Sequence, residues 1–316
     1  MFGRILALAL ASLVVAVLLT GCGGGGSPSG SGGPVSPLGY LGRIAFTRHN
    51  GSTGHTNIFS MYAAGTGLTN LTHDVALYSG DPSYSPDGTR IVFMSTRQGT
   101  YDLFTMASNG LEVKRLTFDG ALKGAPRWSP DGTMIAYQRA TGAAGNFDLW
   151  TIQPDGTQNT NRTKSGAINE RNPGWGLDSK HLYYDSDGLG DRDLCSLSFS
   201  DALRPRLTST GEENICPALS PDGTKLIFQS SRTGPWHVYR MGSGGNAATV
   251  FQVTTGSRND ASPVYIQHGA RIIFTSNRKD AHYQIFSIKP DGTDLKRLTT
   301  TANSINDDAP TWNNGA

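Results

Sequence analysis

One phrase, Pro-x-aromatic-Ser-Pro-Asp-Gly, returns through this chain at a nearly fixed interval. It is complete at Pro82-Ser-Tyr84-Ser-Pro-Asp-Gly88 and Pro126-Arg-Trp128-Ser-Pro-Asp-Gly132, and Leu219 replaces the aromatic in Pro217 to Gly223. Weaker copies begin at Pro173 and Pro263, and a last one, Pro310-Thr-Trp312, stands at the C-terminus. The six prolines lie 44, 47, 44, 46 and 47 residues apart. A period near 45 residues, with room for four short strands per unit, points to radially repeated sheets. No ordinary helical bundle or doubly wound sheet accommodates such a repeat.

Each unit has the same internal grammar. Ser-Pro-Asp-Gly is a turn: Pro presets φ, Asp bonds its own backbone and Gly supplies the positive φ. An apolar strand follows, as at Ile91-Val-Phe93, Ile135-Ala-Tyr137, Leu226-Ile-Phe228 and Ile272-Ile-Phe274. A third strand comes next, as at Leu103 to Met106 and Ile285 to Ile288, then a short fourth ending in Leu-Thr or its equivalent at Thr117, Thr163, Thr208, Thr254 and Thr299. Short strands with regular turns are the all-β pattern. The first unit starts at Arg43-Ile44 without its Pro-x-aromatic strand, and the last residues supply only that strand. An open sheet edge invites aggregation. The expected architecture is therefore a six-bladed β-propeller of four-stranded blades, closed by the C-terminal strand pairing into the first blade.

These residues resemble the repeats of the TolB-type propeller, whose pattern reads Pro-x-Trp-Ser-Pro-Asp-Gly-x-x-Ile-x-Phe-x-Ser-x-Arg, then Gly-x-x-Asp-Ile-Tyr and a terminal Leu-Thr. Pro126 to Tyr137 and Ser95 to Phe104 carry the match. The resemblance spans roughly residues 43–316 and implies a binding or scaffold role in the cell envelope, with an envelope protein or peptide as partner.

The N-terminus reads as an address. Met1 to Arg4 is basic, Ile5 to Leu19 is apolar except for Ser12, and Leu19-Thr-Gly-Cys22 follows. That is the pattern of a secretory signal, and its end resembles the bacterial lipobox, which implies cleavage before Cys22 and lipid attachment to it. The apolar run is shorter than the roughly 20 residues a spanning helix needs. Of the 17 residues from Gly23 to Gly39, 15 are Gly, Ser or Pro, a tether without packing capacity. The expected organisation is a signal peptide over 1–21, a lipidated cysteine and tether over 22–39, and the propeller over 40–316. By resemblance to proteobacterial lipoproteins, Gly23 in place of an inner-membrane retention Asp favours the outer membrane facing the periplasm, with the cell surface as the other destination. The expected protein is a monomer, joined to the membrane by its lipid.

The formal net charge of +2, without a Lys/Arg cluster, excludes an electrostatic nucleic-acid binder. Six copies also separate architecture from recognition, since positions that differ between blades are where a partner can be read. The residues just before each repeat proline differ most, and in a propeller they ring one mouth of the central channel. Asp81, Lys123, Glu170, Arg171, Asn214, Asp260, Asp307 and Asp308 are accordingly the candidate ligand- or partner-binding residues. Asp87, Asp131 and Asp222 are read as turn residues, Trp128, Trp175 and Trp312 as core, and Arg97, Arg232 and Arg278 as blade-to-blade hydrogen bonders. Asp185, Asp187, Asp191 and Asp193 form a weak Ca²⁺ candidate without EF-hand spacing; otherwise no metal and no cofactor are expected.

No catalytic constellation stands out. Gly-x-Ser-x-Gly is absent and the seven histidines are scattered. Prolyl-oligopeptidase-like enzymes carry a similar propeller, but the catalytic domain has no counterpart in this sequence. The expectation is a binding module; an enzyme acting on a polysaccharide or peptide in the channel, and a structural module without a ligand, stay open. Cys195 and Cys216 are expected as free thiols, although an exported chain permits a disulfide between them.

Overall fold

The computed structural model describes residues 42–313 apart from 74–76, 143–144, 201–202, 210, 280 and 302–303. The expected signal peptide, Cys22 and the tether lie outside the described residues. Within them, six antiparallel sheets are arranged as blades around a common axis.

Blade 1 consists of Arg43–Asn50, His55–Tyr62 and Thr69–Asn70, with Ile305–Asn313 from the C-terminus as its innermost strand. The other innermost strands are Ser79–Tyr84, Lys123–Trp128, Glu170–Trp175, Asn214–Leu219 and Asp260–Ile266, opening blades 2 to 6 in order. The closing strand pairs antiparallel with Arg43–Asn50, from Arg43 opposite Asn313 to Asn50 opposite Ile305. The ring thus closes as the complementary termini predict.

The second strands are apolar runs rather than alternating ones because both faces of every blade are covered. Ile135 and Tyr137 pack with Val92 and Leu103 of blade 2, whereas Ala136 between them packs with Trp175 and Leu182 of blade 4. Six such clusters fill the six blade–blade interfaces. Trp128, Trp175 and Trp312 belong to them, each 5–6% exposed.

The fourth strands are two residues long in five blades, and short edges resist adventitious pairing. In blade 4 the fourth strand is only a bridge between Cys195 and Arg206, where Pro205 removes a ladder donor. The recurrent threonine compensates. Its hydroxyl accepts a third-strand N–H in every blade, from Ile58 to Thr72, Leu103 to Thr117, Leu149 to Thr163, Leu194 to Thr208, Val238 to Thr254 and Ile285 to Thr299. The Ser-Pro-Asp-Gly turns behave as read, with Asp87, Asp131 and Asp222 accepting from Ser85, Ser129 and Ser220 at 2.6 Å.

Arg97, Arg232 and Arg278 correct one expectation. They join strands within a blade: Arg232 donates to Ser230 and Asn214 of blade 5, and Arg278 to Ser276 and Asp260 of blade 6. Arg97 likewise reaches Ser95 and Ser79 of blade 2. Their guanidinium groups lie over core rings of the same blade, such as Phe274 and Phe286 under Arg278. That packing leaves the fork facing its own inner strand.

Candidate functional site

Every innermost strand contains a bulge at one repeat position. The residue before the proline is in the left-handed region in all six blades: Asp81, Ala125, Asn172, Cys216, Ser262 and Ala309, with φ between 47° and 59°. None is glycine, so the surrounding structure must hold this conformation. The freed backbone N–H is caught by the preceding blade. Asp81 donates to Thr47, Asn172 to Gln138, Cys216 to Asp185 and Ser262 to Gln229, at 2.9–3.1 Å. Blade 2 has Met94 at the accepting position, and there Asp81 Oδ2 receives the Ala125 N–H at 3.2 Å instead. Five of the six bulges are thus tied to the preceding blade, and in the sixth the Ala309 N–H turns to Asp308 Oδ1 at 2.6 Å.

The structure sorts the eight proposed mouth residues into two groups. Lys123, Glu170, Asn214 and Asp260 begin their strands, Asp307 is the third residue of the closing strand, and all five are at most 3% exposed. Lys123 pairs with Asp102 and Asp119. Glu170 pairs with Arg204 at 3.4 Å, and Asn214 accepts from Arg232 at 2.7 Å. Asp260 meets Arg278 and His237, and Arg48 grips Asp307 with two bonds of 2.6 and 2.8 Å. Lys123 reaches back to Asp102 of blade 2 and Asp260 to His237 of blade 5, and the other contacts staple inner strands to their own blades. Residue type alone could not reveal that, because burial of these polar groups depends on partners that, apart from Asp119, lie about 20 to 260 positions away.

Asp81, Arg171 and Asp308 form the second group. Arg171 bonds Asn169 and lies over Phe147. Burial, helped by nearby Arg192, lowers its pKa. Burial raises Asp81, against the opposing influence of Arg127 and the Ala125 N–H. Asp308 is pushed up to about 7, first by burial and then by the charge of Asp81, against the Ala309 N–H and the Thr275 and Ser262 hydroxyls.

The Ca²⁺ candidate does not converge. Asp185 pairs with Arg192 and accepts from Asn172 and Cys216. Asp193 pairs with Arg206 and Thr208, Asp187 accepts from Asn169, and Asp191 is exposed. Among the described residues no group of three or more His, Cys, Asp or Glu side chains is placed to hold a metal. Cys195 is a free thiol, so it does not bridge to Cys216; burial pushes it up to about 12.

Asp308 opens into a cavity of about 440 Å³ at the seam where blade 6 meets the closing strand of blade 1. Its walls are Thr47 and His49 from blade 1, Ala261, Thr275, Ala281, His282 and Tyr283 from blade 6, and Asn306 beside Asp308. Three bonds fix the seam. Tyr283 N–H donates to Asn306 at 2.8 Å, Asp307 N–H to the Tyr283 carbonyl at 2.8 Å, and Ser304 N–H to His282 Nε2 at 2.9 Å. Accepting that bond places the neutral His282 proton on Nδ1. His49 is bonded through Nδ1 to Thr56 at 2.8 Å, and burial lowers its pKa, favouring the neutral ring.

Most cavity residues other than Asp308 are absent from the sequence-based candidates because they come from second strands and the loops after them, Thr47, His49, Thr275, Ala281, His282 and Tyr283; Ala261 and Asn306 lie in innermost strands beside the candidates Asp260 and Asp307. One signal was available. Two places before the apolar start of the third-strand run stand Tyr101, Phe147, Trp236 and Tyr283, but Arg192 fills that place in blade 4 and Thr56 in blade 1. The seam therefore receives no ring from that strand.

Fold and site together define a closed six-bladed propeller with a pocket lined in part by Asp308 at its closing seam. The chain belongs to the TolB beta propeller domain family (PD40), which matches residues 36–144 and 204–315. Among curated proteins it is similar to a TolB homolog of Chlorobium chlorochromatii, 28% identical over 213 residues, covering 66% of this chain and 45% of that protein. The chain thus spans under half the length of that relative. Among solved structures it is similar to TolB from Acinetobacter baumannii, with a TM-score of 0.75 at 20% identity over 86% of this chain and 67% of the other. A puromycin-hydrolyzing peptidase of Mycobacterium tuberculosis shares the fold, with a TM-score of 0.58 at 14% identity over 84% of this chain and 44% of that enzyme.

Proposed function

We propose that this chain is an exported, envelope-tethered binding propeller that receives a protein or peptide segment at the channel mouth, with the seam cavity as its anchoring point. The carrying observation is the cavity itself: largely apolar walls, the Asp308 carboxyl group among its lining and strands of two blades around it. Recognition sites are typically concave, mostly apolar and furnished with a few placed polar groups. Membership in the TolB propeller family supports a scaffold role, and the Leu19 to Cys22 motif supports a lipid anchor at Cys22 that holds the propeller near a membrane. Asp81, whose charge acts on Asp308, adds to the polar surroundings of the site, while the five strand-stapling residues act through its shape and Arg171 belongs to the mouth on the blade 4 side.

The experiment is affinity capture from membranes with the lipidated full-length chain, compared with an Ala281→Trp variant. Ala281 is exposed at the cavity wall, so the indole should fill the space without disturbing the core. Loss of a captured envelope protein or peptide is the expected outcome. Capture unchanged by the filled cavity would show that the seam is not the anchoring point.

A further inference from the structure

We propose that the seam cavity recognises an alkylammonium group, a lysine-type side chain or another primary amine on an apolar stem, with Asp308 as its counter-ion; this rests on the channel mouth being the binding face.

The charge argument comes first. Asp308 accepts the Ala309 N–H at 2.6 Å and the Ser262 hydroxyl at 3.2 Å, both at Oδ1. Among the described residues Oδ2 receives no hydrogen bond. The nearby cations are engaged elsewhere, Arg48 by both oxygens of Asp307 and Arg127 in the field of Asp81. A desolvated carboxylate without a counter-ion is costly. A cationic ligand removes that cost, a neutral one leaves it, and an anionic one meets Asp81 as a second repulsive charge.

An independent observation lies on the same wall. Thr275 is 1% exposed, lines the cavity and has no aligned hydrogen-bond partner for its Oγ1. Its hydroxyl lies close enough to Asp308 to favour the charged carboxyl. An ammonium offers three donors and no acceptor, which suits a free carboxylate oxygen beside an unpartnered hydroxyl. A guanidinium fork favours two coplanar carboxylate oxygens, and Oδ1 is already committed. Ala261, Ala281, Tyr283 and the neutral His49 ring line a slot suited to a methylene stem.

The arrangement makes binding proton-linked. The titratable groups facing Asp308 are Asp81 and Tyr78 from blade 2, Tyr283 and His282 from blade 6, and His49 from blade 1. The Tyr78 and Tyr283 phenols are raised, foremost by burial, and stay neutral. With Asp308 raised to about 7, the empty site holds a proton below neutrality that an arriving ammonium must displace. Affinity therefore rises with pH through that range.

The test titrates the full chain with N-acetyl-lysine methylamide and, separately, N-acetyl-norleucine methylamide, at pH 5.5 and 8.0, by calorimetry. The lysine probe is expected to bind about tenfold or more tightly at pH 8.0 than at pH 5.5, and the norleucine probe weakly and without pH dependence. Asp308→Asn should abolish the lysine preference, and Thr275→Val should weaken it several-fold while retaining the methyl packing. Equal binding of the two probes, or lysine binding indifferent to Asp308→Asn, overturns the assignment. If Ala281→Trp abolishes capture from membranes while the lysine probe does not bind, the ammonium assignment falls and the binding face stands. If the probe binds as expected while capture survives Ala281→Trp, the anchoring role falls and an amine site remains.

Discussion

At the scale of single residues, two kinds of strain lie along the channel wall. The first is electrostatic. Asp308 has its pKa raised to about 7 by burial and by Asp81. Between the unfolded value near 4 and that folded value, the native state binds a proton the unfolded chain does not, so this contribution to stability falls as pH rises and is lost above about 7. Asp308→Asn should therefore raise the melting temperature by a few degrees at pH 8 and change it little at pH 5, since about 1 kcal/mol moves a domain of this size by roughly 2–4 °C. Scanning calorimetry at the two pH values checks this, and an equal shift at both would remove Asp308 as the cause. The second strain is conformational. Ala125 is buried at φ 48°, where a β-branched side chain is strongly disfavoured. Ala125→Val should cost about 2 kcal/mol or more, whereas Ala125→Gly should fall within about 0.5 kcal/mol of the parent because the φ relief offsets the added chain entropy. Urea unfolding measures both. Neither strain was legible in the sequence: Asp81, Ala125 and Cys216 share the place before the repeat proline but no residue type, and only the recurring bulge reveals the conformation they share.

At the scale of strands, legibility improves because the repeat supplies six readings of one plan. The turn aspartates, the core tryptophans and the terminal threonines were readable from their recurrence, and each has the local role its chemistry suggests. The mouth residues were harder. A polar residue before a proline looks like a loop, yet Lys123, Glu170, Asn214, Asp260 and Asp307 lie inside strands, covered by neighbours from other strands. Arg48 and Asp307 show the consequence. Their bidentate pair, with Asp307 fully covered, joins the first continuous strand to the closing strand. Removing Arg48 alone leaves a buried unpaired carboxylate, and Arg48→Met should lose about 3–5 kcal/mol. Adding Asp307→Leu should restore much of that, since replacing both partners of a buried pair by apolar groups is often nearly neutral. Equal losses in the single and double variants, by chemical denaturation, would contradict this role.

At the scale of the whole molecule, closure carries both stability and site. The strand Ile305–Asn313 completes blade 1, covers the edge of Arg43–Asn50 and brings Asn306 and Asp308 to the cavity. Ending the chain at residue 304 should abolish the single cooperative unfolding transition, because blades 1 and 6 lose their shared core around Trp312. The ring and its closure could be read from complementary ends, but the cavity could not, since its lining comes from strand ends and a loop whose packing across the seam the repeat does not fix. The most direct measurement of the central claim is photo-crosslinking in the native envelope, with benzoylphenylalanine placed at Ala281 on the seam or at Thr224 beside a Ser-Pro-Asp-Gly turn. Discrete adducts with an envelope protein or peptide from Ala281 and none from Thr224 are predicted; adducts from Thr224 alone would place recognition away from the seam and contradict the account.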